Sequence, residues 1–102
     1  MGINVALVEE HGDELEYMGD PKGLLGNLLP PGDDLDHPFL MSIDFYGDTV
    51  FNRIQMTRFL SEWAYAESRA VTEQDRELVA AVRRMATRCL NEVHLYLKFM
   101  GD

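Results

Sequence analysis

Cysteine is almost absent from this chain, and the one that is present, Cys89, has no second cysteine with which to form an intrachain disulfide. A disulfide scaffold is therefore excluded, and this cysteine usage is typical of proteins from a reducing compartment. Long apolar runs are also missing, since no stretch approaches the roughly 18 residues that a membrane span requires. The first residues lack the basic segment of a secretory signal. These absences predict a cytoplasmic protein that has no membrane partner.

Basic residues are scarce in the first half of the chain. Residues 1–50 contain 11 acidic residues and one basic residue, Lys22, whereas residues 51–102 contain 7 acidic and 8 basic residues. The formal net charge of −9 therefore resides in the N-terminal half. Because such a surface repels phosphate backbones and anionic lipids, we expect no nucleic-acid partner, and a basic protein becomes the favoured one. Solubility alone is the alternative explanation of this charge.

Catalytic motifs are missing as well. The sequence contains no G-x-S-x-G, H-E-x-x-H or P-loop pattern, so no catalytic residue is predicted and no cofactor is expected. The loop Asp33–His37 is the densest group of metal-ligand types, but Phe39 stands where an EF-hand loop requires glycine. It is either a solvated acidic loop or part of a hard-cation site. The candidate ligands for such a site are Asp34, Asp36, His37, Asp44 and Asp48.

The residues that are present suffice for one core. Of the 102 residues, 46% are hydrophobic, and a chain of this length buries roughly two-thirds of its unfolded surface. We therefore predict a single domain over residues 1–102.

Strand and helix patterns alternate along the chain in the order β-β-loop-β-(β)-α-α-β. Predicted strands lie at 3–9, at 15–18 after a turn at Gly12, at Phe39–Phe45 and at Val93–Phe99, and residues 49–54 suit either a strand or a helix start. Helical periodicity begins at Thr57, and Thr72-x-x-Asp75 predicts a capping box for a second helix. This order predicts an α+β fold with an antiparallel or mixed sheet of four to five strands. The sheet combines the N-terminal hairpin, one or two middle strands and the C-terminal strand, and a two-helix hairpin packs on one face.

The second predicted helix has a basic side and an apolar side. Its basic side is formed by Arg76, Arg83, Arg84 and Arg88. These arginines either neutralise the acidic half within the same molecule or form a docking face. Cys89 falls on the apolar side, which predicts a buried structural thiol.

One local pattern, aromatic-x-Gly-Asp, recurs three times. It occurs as Tyr17-Met18-Gly19-Asp20, as Phe45-Tyr46-Gly47-Asp48 and as Phe99-Met100-Gly101-Asp102. Each copy is predicted to close a strand, and turn chemistry explains it: the aromatic ring packs, glycine bends the chain and aspartate caps. The alternative brings the three aspartates together at one sheet edge as an acidic site, which requires the three strand ends to coincide.

The segments Tyr46–Arg53 and His94–Phe99 resemble a family of small bacterial proteins that has no established function. The likeness extends over most of the chain. It implies a bacterial origin and says nothing about site residues.

Three functions are compatible with these features, and the pattern favours a non-enzymatic protein over an enzyme. The leading hypothesis is an inhibitor, a toxin-neutralising partner or a regulatory subunit that binds a basic protein by electrostatic steering. Its candidate contact residues are Glu9, Glu10, Asp13, Glu14, Asp33, Asp34 and Asp36. One alternative is a small metal-dependent enzyme or metal-binding protein that uses the Asp33–His37 loop. Another is a structural homodimer that hides aromatic side chains such as Trp63 or Tyr65.

Overall fold

A computed structural model describes residues 2–101, and within this range four strands form one antiparallel sheet in the order β2-β1-β4-β3. The strands are β1 (Asn4–Glu9), β2 (Glu14–Met18), β3 (Asp48–Asn52) and β4 (Leu95–Met100), and the α-helices are α1 (Pro38–Met41), α2 (Met56–Arg69) and α3 (Glu73–Asn91). Short 3-10 helices lie at Leu25–Leu28 and Arg53–Gln55. The prediction of an α+β fold that combines this sheet with a helical hairpin is confirmed.

The core lies between one face of the sheet and the pair α2–α3. Successive residues of a strand point to opposite faces, and in β4 the buried residues Leu95, Leu97 and Phe99 alternate with half-buried ones. Helix α2 places Phe59 and Trp63 over Phe99, with ring centroids 5.8 Å and 6.4 Å from that ring. Helix α3 adds Val79, Val82, Met85, Ala86 and Cys89, all buried. The apolar stripes expected of both helices therefore form the core.

The predicted third strand, Phe39–Phe45, is wrong, because the chain forms helix α1 there and β3 begins only afterwards. Glu62, on α2, gives the physical reason. Its Oε1 accepts hydrogen bonds from the amides of Phe39 at 2.9 Å and Leu40 at 3.1 Å. The first amides of a helix lack partners within the helix, so this buried carboxylate stabilises a helical turn that the local sequence does not predict.

Turn geometry decides the segment 49–54, which the sequence left open, and corrects the start of the last strand. Residues 49–54 supply both of the predicted alternatives, since β3 runs to Asn52 and a 3-10 helix follows, capped by reciprocal hydrogen bonds between Asn52 and Gln55. The last strand begins two residues later than predicted, at Leu95, because the preceding His94 adopts a positive φ of 64° in a turn. The predicted capping box of Thr72 and Asp75 opens α3.

The three aromatic-x-Gly-Asp segments meet at one end of the sheet, which we call the glycine end and define by Gly19, Gly47 and Gly101. Strands β2 and β4 finish there, and β3 starts there because Asp48 pairs with Met100. The middle segment therefore opens a strand instead of closing one. The amide of Gly101 donates to the carbonyl of Gly47 at 2.7 Å, which joins two of the segments directly.

Candidate functional site

The turn between β1 and β2 carries the first group of predicted contact residues. This group is Glu9, Glu10, Asp13 and Glu14. The Oε1 atom of Glu9 accepts hydrogen bonds from the amides of His11 at 2.8 Å and Asp13 at 3.3 Å, so this side chain shapes the turn. Glu10, Asp13 and Glu14 are exposed. These three carboxylates are thus accessible to a partner, while that of Glu9 maintains the backbone that presents them.

This turn lies against the start of β4. Glu9 is the register partner of Leu95, and the Oε2 atom of Glu10 lies 3.0 Å from Nδ1 of His94. The ring of His11 lies on the same carboxylate, with its Nε2 3.7 Å from Oε1. The acidic turn is therefore continuous with the surface formed by residues 93–96.

An open cleft of about 380 Å³ adjoins the turn at that point. Its walls come from the end of β3 with the following 3-10 helix and from the start of β4. Two apolar side chains on these walls face solvent, Ile54 with 88% and Val93 with 63% of its surface exposed. The ring of Tyr96 lines the cleft beside them. We call the combined surface of residues 9–14, 52–54 and 93–96 the hairpin end.

The second acidic segment, the Asp33–His37 loop, lies at the other end of the molecule. The ring of His37 packs on Tyr65, in the last turns of α2, with centroids 4.7 Å apart. The first turns of α3 line a pocket together with Met18, the last residue of β2, and the residues that follow it, Gly19 among them. The junction between α2 and α3 therefore lies at the glycine end. The predicted contact residues therefore form two separate surfaces.

Within the loop, Asp34 serves as a local organiser. Its Oδ1 accepts hydrogen bonds from the amides of Asp36 at 2.7 Å and His37 at 3.0 Å, and the His37 ring nitrogen Nδ1 lies 3.1 Å away. Desolvation raises the pKa of Asp34, but these hydrogen bonds outweigh it and bring that pKa below its ordinary value. Asp33 and Asp36 are exposed. Of the loop acids, only these two are free to face a partner.

The candidate metal ligands do not converge. Asp34 and His37 form a pair, whereas Asp44 accepts a hydrogen bond from the amide of Tyr46 at 2.8 Å. Asp48 lies 3.5 Å from Nζ of Lys98. Among residues 2–101 no group of three ligating side chains is arranged to hold a metal ion. The metal hypothesis therefore gains no support from the geometry.

The aspartates of the glycine end also point to different environments. Asp20 is buried, and its two carboxylate oxygens accept hydrogen bonds from the amides of Leu24 and Leu25, each at 2.9 Å. Asp48 is exposed on the sheet, and Asp102 lies outside the described residues. Among residues 2–101, Asp20 and Glu62 are the two buried acids. The aromatic-x-Gly-Asp pattern indicated a capping aspartate at Asp20, which accepts from amides only four and five residues further along the chain. No local pattern pointed to Glu62, because its partners Phe39 and Leu40 lie 23 and 22 residues away in the chain.

The basic side of α3 is largely occupied by acids of the same chain. Arg84 and Arg88 both bind Glu16 of β2, at 3.3 Å and 3.1 Å, and Arg83 binds Glu67 of α2 at 2.7 Å. The hydrogen bond that Arg83 donates to Glu67 raises the pKa of Arg83, and those that Arg88 donates to Glu92 and to Glu16 raise the pKa of Arg88. Asp13 and Glu14 take part in none of the ion pairs formed within residues 2–101. The arginines of α3 thus neutralise Glu16 in the middle of β2 but leave Asp13 and Glu14 of the turn without a cationic partner.

Of the side chains considered for nucleophilic chemistry and for dimerisation, Cys89 and Trp63 are buried and Tyr65 is half-buried. Cys89 is buried, and its thiol donates to the carbonyl of Leu95 at 3.4 Å. Burial raises the pKa of Cys89 to about 11, which leaves the reactive thiolate scarce at neutral pH. Trp63 is fully buried, and Tyr65 is half-buried against His37.

No helix within residues 2–101 is both long enough and apolar enough to cross a membrane. No protein-family model, no curated protein and no solved structure matches the chain, so the resemblance carried by Tyr46–Arg53 and His94–Phe99 stays a prediction.

Proposed function

We propose that this chain is a cytoplasmic, non-enzymatic binding module whose hairpin end associates with a basic protein, as an inhibitor, a toxin-neutralising partner or a regulatory subunit does. One observation carries the proposal: the exposed carboxylates of Glu10, Asp13 and Glu14 adjoin a surface of exposed apolar side chains. A surface kept only for solubility needs charge but no apolar centre. Specific interfaces combine the two, with an apolar centre and a polar rim.

Electrostatics gives the proposal a kinetic signature. Exposed charges at a rim act mainly on the encounter of two proteins, so they change the association rate more than the dissociation rate. Their effect is screened beyond about 8–10 Å at physiological ionic strength. Association through the hairpin end is therefore expected to slow steeply as salt is added.

A charge-reversal experiment tests this function. The first variant replaces Glu10, Asp13 and Glu14 with lysine and retains Glu9, which holds the turn. The matched variant makes the same change in charge away from the hairpin end, at Asp33, Asp36 and Glu77, all exposed. Each immobilised protein is exposed to extract from the native host, captured proteins are quantified by mass spectrometry, and association rates are measured for those retained.

Capture of basic proteins by the wild type and by the matched variant, and its loss in the first variant, is the expected result. Equal capture by all three proteins would indicate that the acidic turn serves solubility and is not needed for binding. Loss in the matched variant alone would assign binding to the surface that carries Asp33, Asp36 and Glu77. Melting curves of all three proteins serve as the folding control.

The open face of the sheet favours self-association as a second candidate function. Register pairs place Tyr17, Ala6, Lys98 and Val50 in one row across the four strands. The outer members of the row are apolar and exposed, Tyr17 by 56% and Val50 by 51%. Two copies that meet through this face would cover both side chains. Sedimentation of the wild type and of Val50→Lys over a range of concentrations tests it, and a monomer throughout would exclude it.

A further inference from the structure

We infer that the cleft at the hairpin end receives one apolar side chain from a basic segment of the partner, with Ile54 and Val93 as its contact residues. The inference rests on the proposed function and adds the chemistry of the segment that binds. Burial of the apolar side chain in the cleft supplies most of the binding free energy, and the acidic turn steers the basic segment during association. The surface therefore selects a segment that is basic and apolar together, and selects against one that is only basic.

Exposure of the two cleft residues is the first argument. Ile54 and Val93 leave 88% and 63% of their surfaces in water, although both stand in short connections beside a well-packed sheet. Covering apolar surface contributes about 25 cal/mol per Å², and a few buried anchors usually dominate the energy of an interface. Tyr96 adds a half-buried ring to the same wall.

The charges around the cleft indicate that basic residues flank the apolar side chain in the bound segment. On the side of the turn, Glu9 and Glu10 border it through their contacts with Leu95 and His94. The one guanidinium on its wall, that of Arg53, donates from its Nε to the carbonyl of Leu90, in the last turn of α3, with an N–O distance of 3.0 Å. A helix C-terminus is a favourable place for a cation, so this charge is compensated and the acidic character of the rim persists.

The same charges argue against a second copy as the occupant. Two hairpin ends in contact would bring two acidic turns together in a chain whose formal net charge is already −9, and juxtaposed like charges disfavour association. The arginines of α3 are held by acids of their own chain, Arg84 and Arg88 by Glu16. A foreign basic segment complements the surface without breaking these pairs.

Synthetic peptides test the inference with the full chain. The probes are a fluorescent lysine-rich peptide with one central leucine, the same peptide with glycine in place of leucine, and the leucine peptide with glutamate in place of lysine. Each is titrated by fluorescence anisotropy against the wild type and Ile54→Ser. The matched control is Leu35→Ser, which alters an equally exposed side chain, 89% accessible, in the distant loop.

The leucine–lysine peptide is expected to bind about tenfold more tightly than its glycine counterpart, which corresponds to about 1.4 kcal/mol. Ile54→Ser should abolish that difference, and Leu35→Ser should preserve it. Equal binding of the two lysine peptides would overturn the inference and leave the proposed function standing, whereas failure of both to bind would count against both. Equal binding of the glutamate peptide, or an Ile54-dependent dimer in sedimentation, would also overturn the inference.

Discussion

The indole nitrogen of Trp63 donates a hydrogen bond to the main-chain carbonyl of Val79, with an N–O distance of 3.0 Å. This bond joins α2 to α3 at the centre of the core, where the indole also stacks on Phe59 with ring centroids 5.5 Å apart. The side chain is fully buried. Trp63 thus buries a large apolar ring and also satisfies the one hydrogen-bond donor of that ring.

Replacing Trp63 with alanine is therefore expected to lower the free energy of unfolding by about 3–5 kcal/mol, the range typical of large-to-small aromatic changes. Trp63→Phe keeps most of the apolar volume and loses the hydrogen bond to Val79, so its loss should be smaller. Urea denaturation of the three proteins measures both values. An alanine variant as stable as the wild type would contradict the assignment of Trp63 to the core.

A second prediction concerns the buried carboxylate of Glu62. Glu62→Ala leaves the amides of Phe39 and Leu40 without their acceptor, and a buried unsatisfied group costs about 1–3 kcal/mol. Hydrogen exchange at these two amides should accelerate more than exchange in the sheet. Ser61→Ala is the control, because this neighbour of Glu62 on α2 is exposed and surface substitutions change stability by no more than about 0.5 kcal/mol. Unchanged protection of both amides in Glu62→Ala would argue against the cap.

Local patterns in the sequence explain which elements could be predicted. The capping box of Thr72 and Asp75 involves groups within one helical turn, and it was predicted correctly. The strand expected at Phe39–Phe45 does not form, because the first two amides of the segment are satisfied by Glu62, a residue whose position depends on the tertiary fold. Propensity is a weak guide where tertiary contacts supply the missing hydrogen bonds.

The candidate site was likewise predictable only in part. The acidic character of the turn was readable from Glu10, Asp13 and Glu14 in the sequence. The cleft was not readable from the sequence, since Ile54 and Val93 come from segments far apart in the chain and line the same cleft because β3 pairs with β4. Each residue alone looks like an ordinary apolar residue in a short connection.

Close packing at the glycine end gives a third prediction. A Cβ atom added to Gly101 would lie 2.4 Å from the main-chain carbonyl carbon and oxygen of Phe45, so the backbone there would have to move. Gly101→Ala should therefore lower the melting temperature clearly. Gly32→Ala meets no atom within 4 Å and should change stability by no more than about 0.5 kcal/mol. Similar melting temperatures for both variants would contradict the close approach.

Acid unfolding offers a fourth test, through Asp75. Hydrogen bonds from the amides of Val71 and Thr72 lower the pKa of Asp75. A carboxyl whose pKa falls on folding stabilises the protein fully above about pH 4, and this contribution disappears as the pH falls through the folded pKa. The wild type should therefore exceed Asp75→Asn in melting temperature at neutral pH, with the gap narrowing in acid. Glu73→Gln, in the same turn, is the control, and a gap independent of pH would contradict the cap.

The buried thiol gives a fifth prediction. The pKa of Cys89 rises to about 11 through burial, and the thiolate is the species that attacks disulfide reagents. The native protein should thus react with Ellman's reagent only as fast as it opens, and denaturant should release the reaction. Cys89→Ala, which removes the chain's one thiol, gives the blank. A rapid stoichiometric reaction in native buffer would place the thiol at the surface.

The pairing of β1 with β4 at the centre of the sheet affects the order in which the chain folds. Strand β1, near the start of the sequence, lies between β2 and β4, and Asn4 is the register partner of Met100. During synthesis the β1–β2 hairpin and the α2–α3 pair can form from nearby residues. Strand β3 cannot join the hairpin in one sheet until β4 has emerged, because β4 lies between β1 and β3. Contacts between such distant residues carry the largest loop-closure cost. Cooperative folding therefore awaits β4, and a chain stalled before it would leave one backbone edge of β1 unpaired, in a strand whose residues 5–8 are apolar.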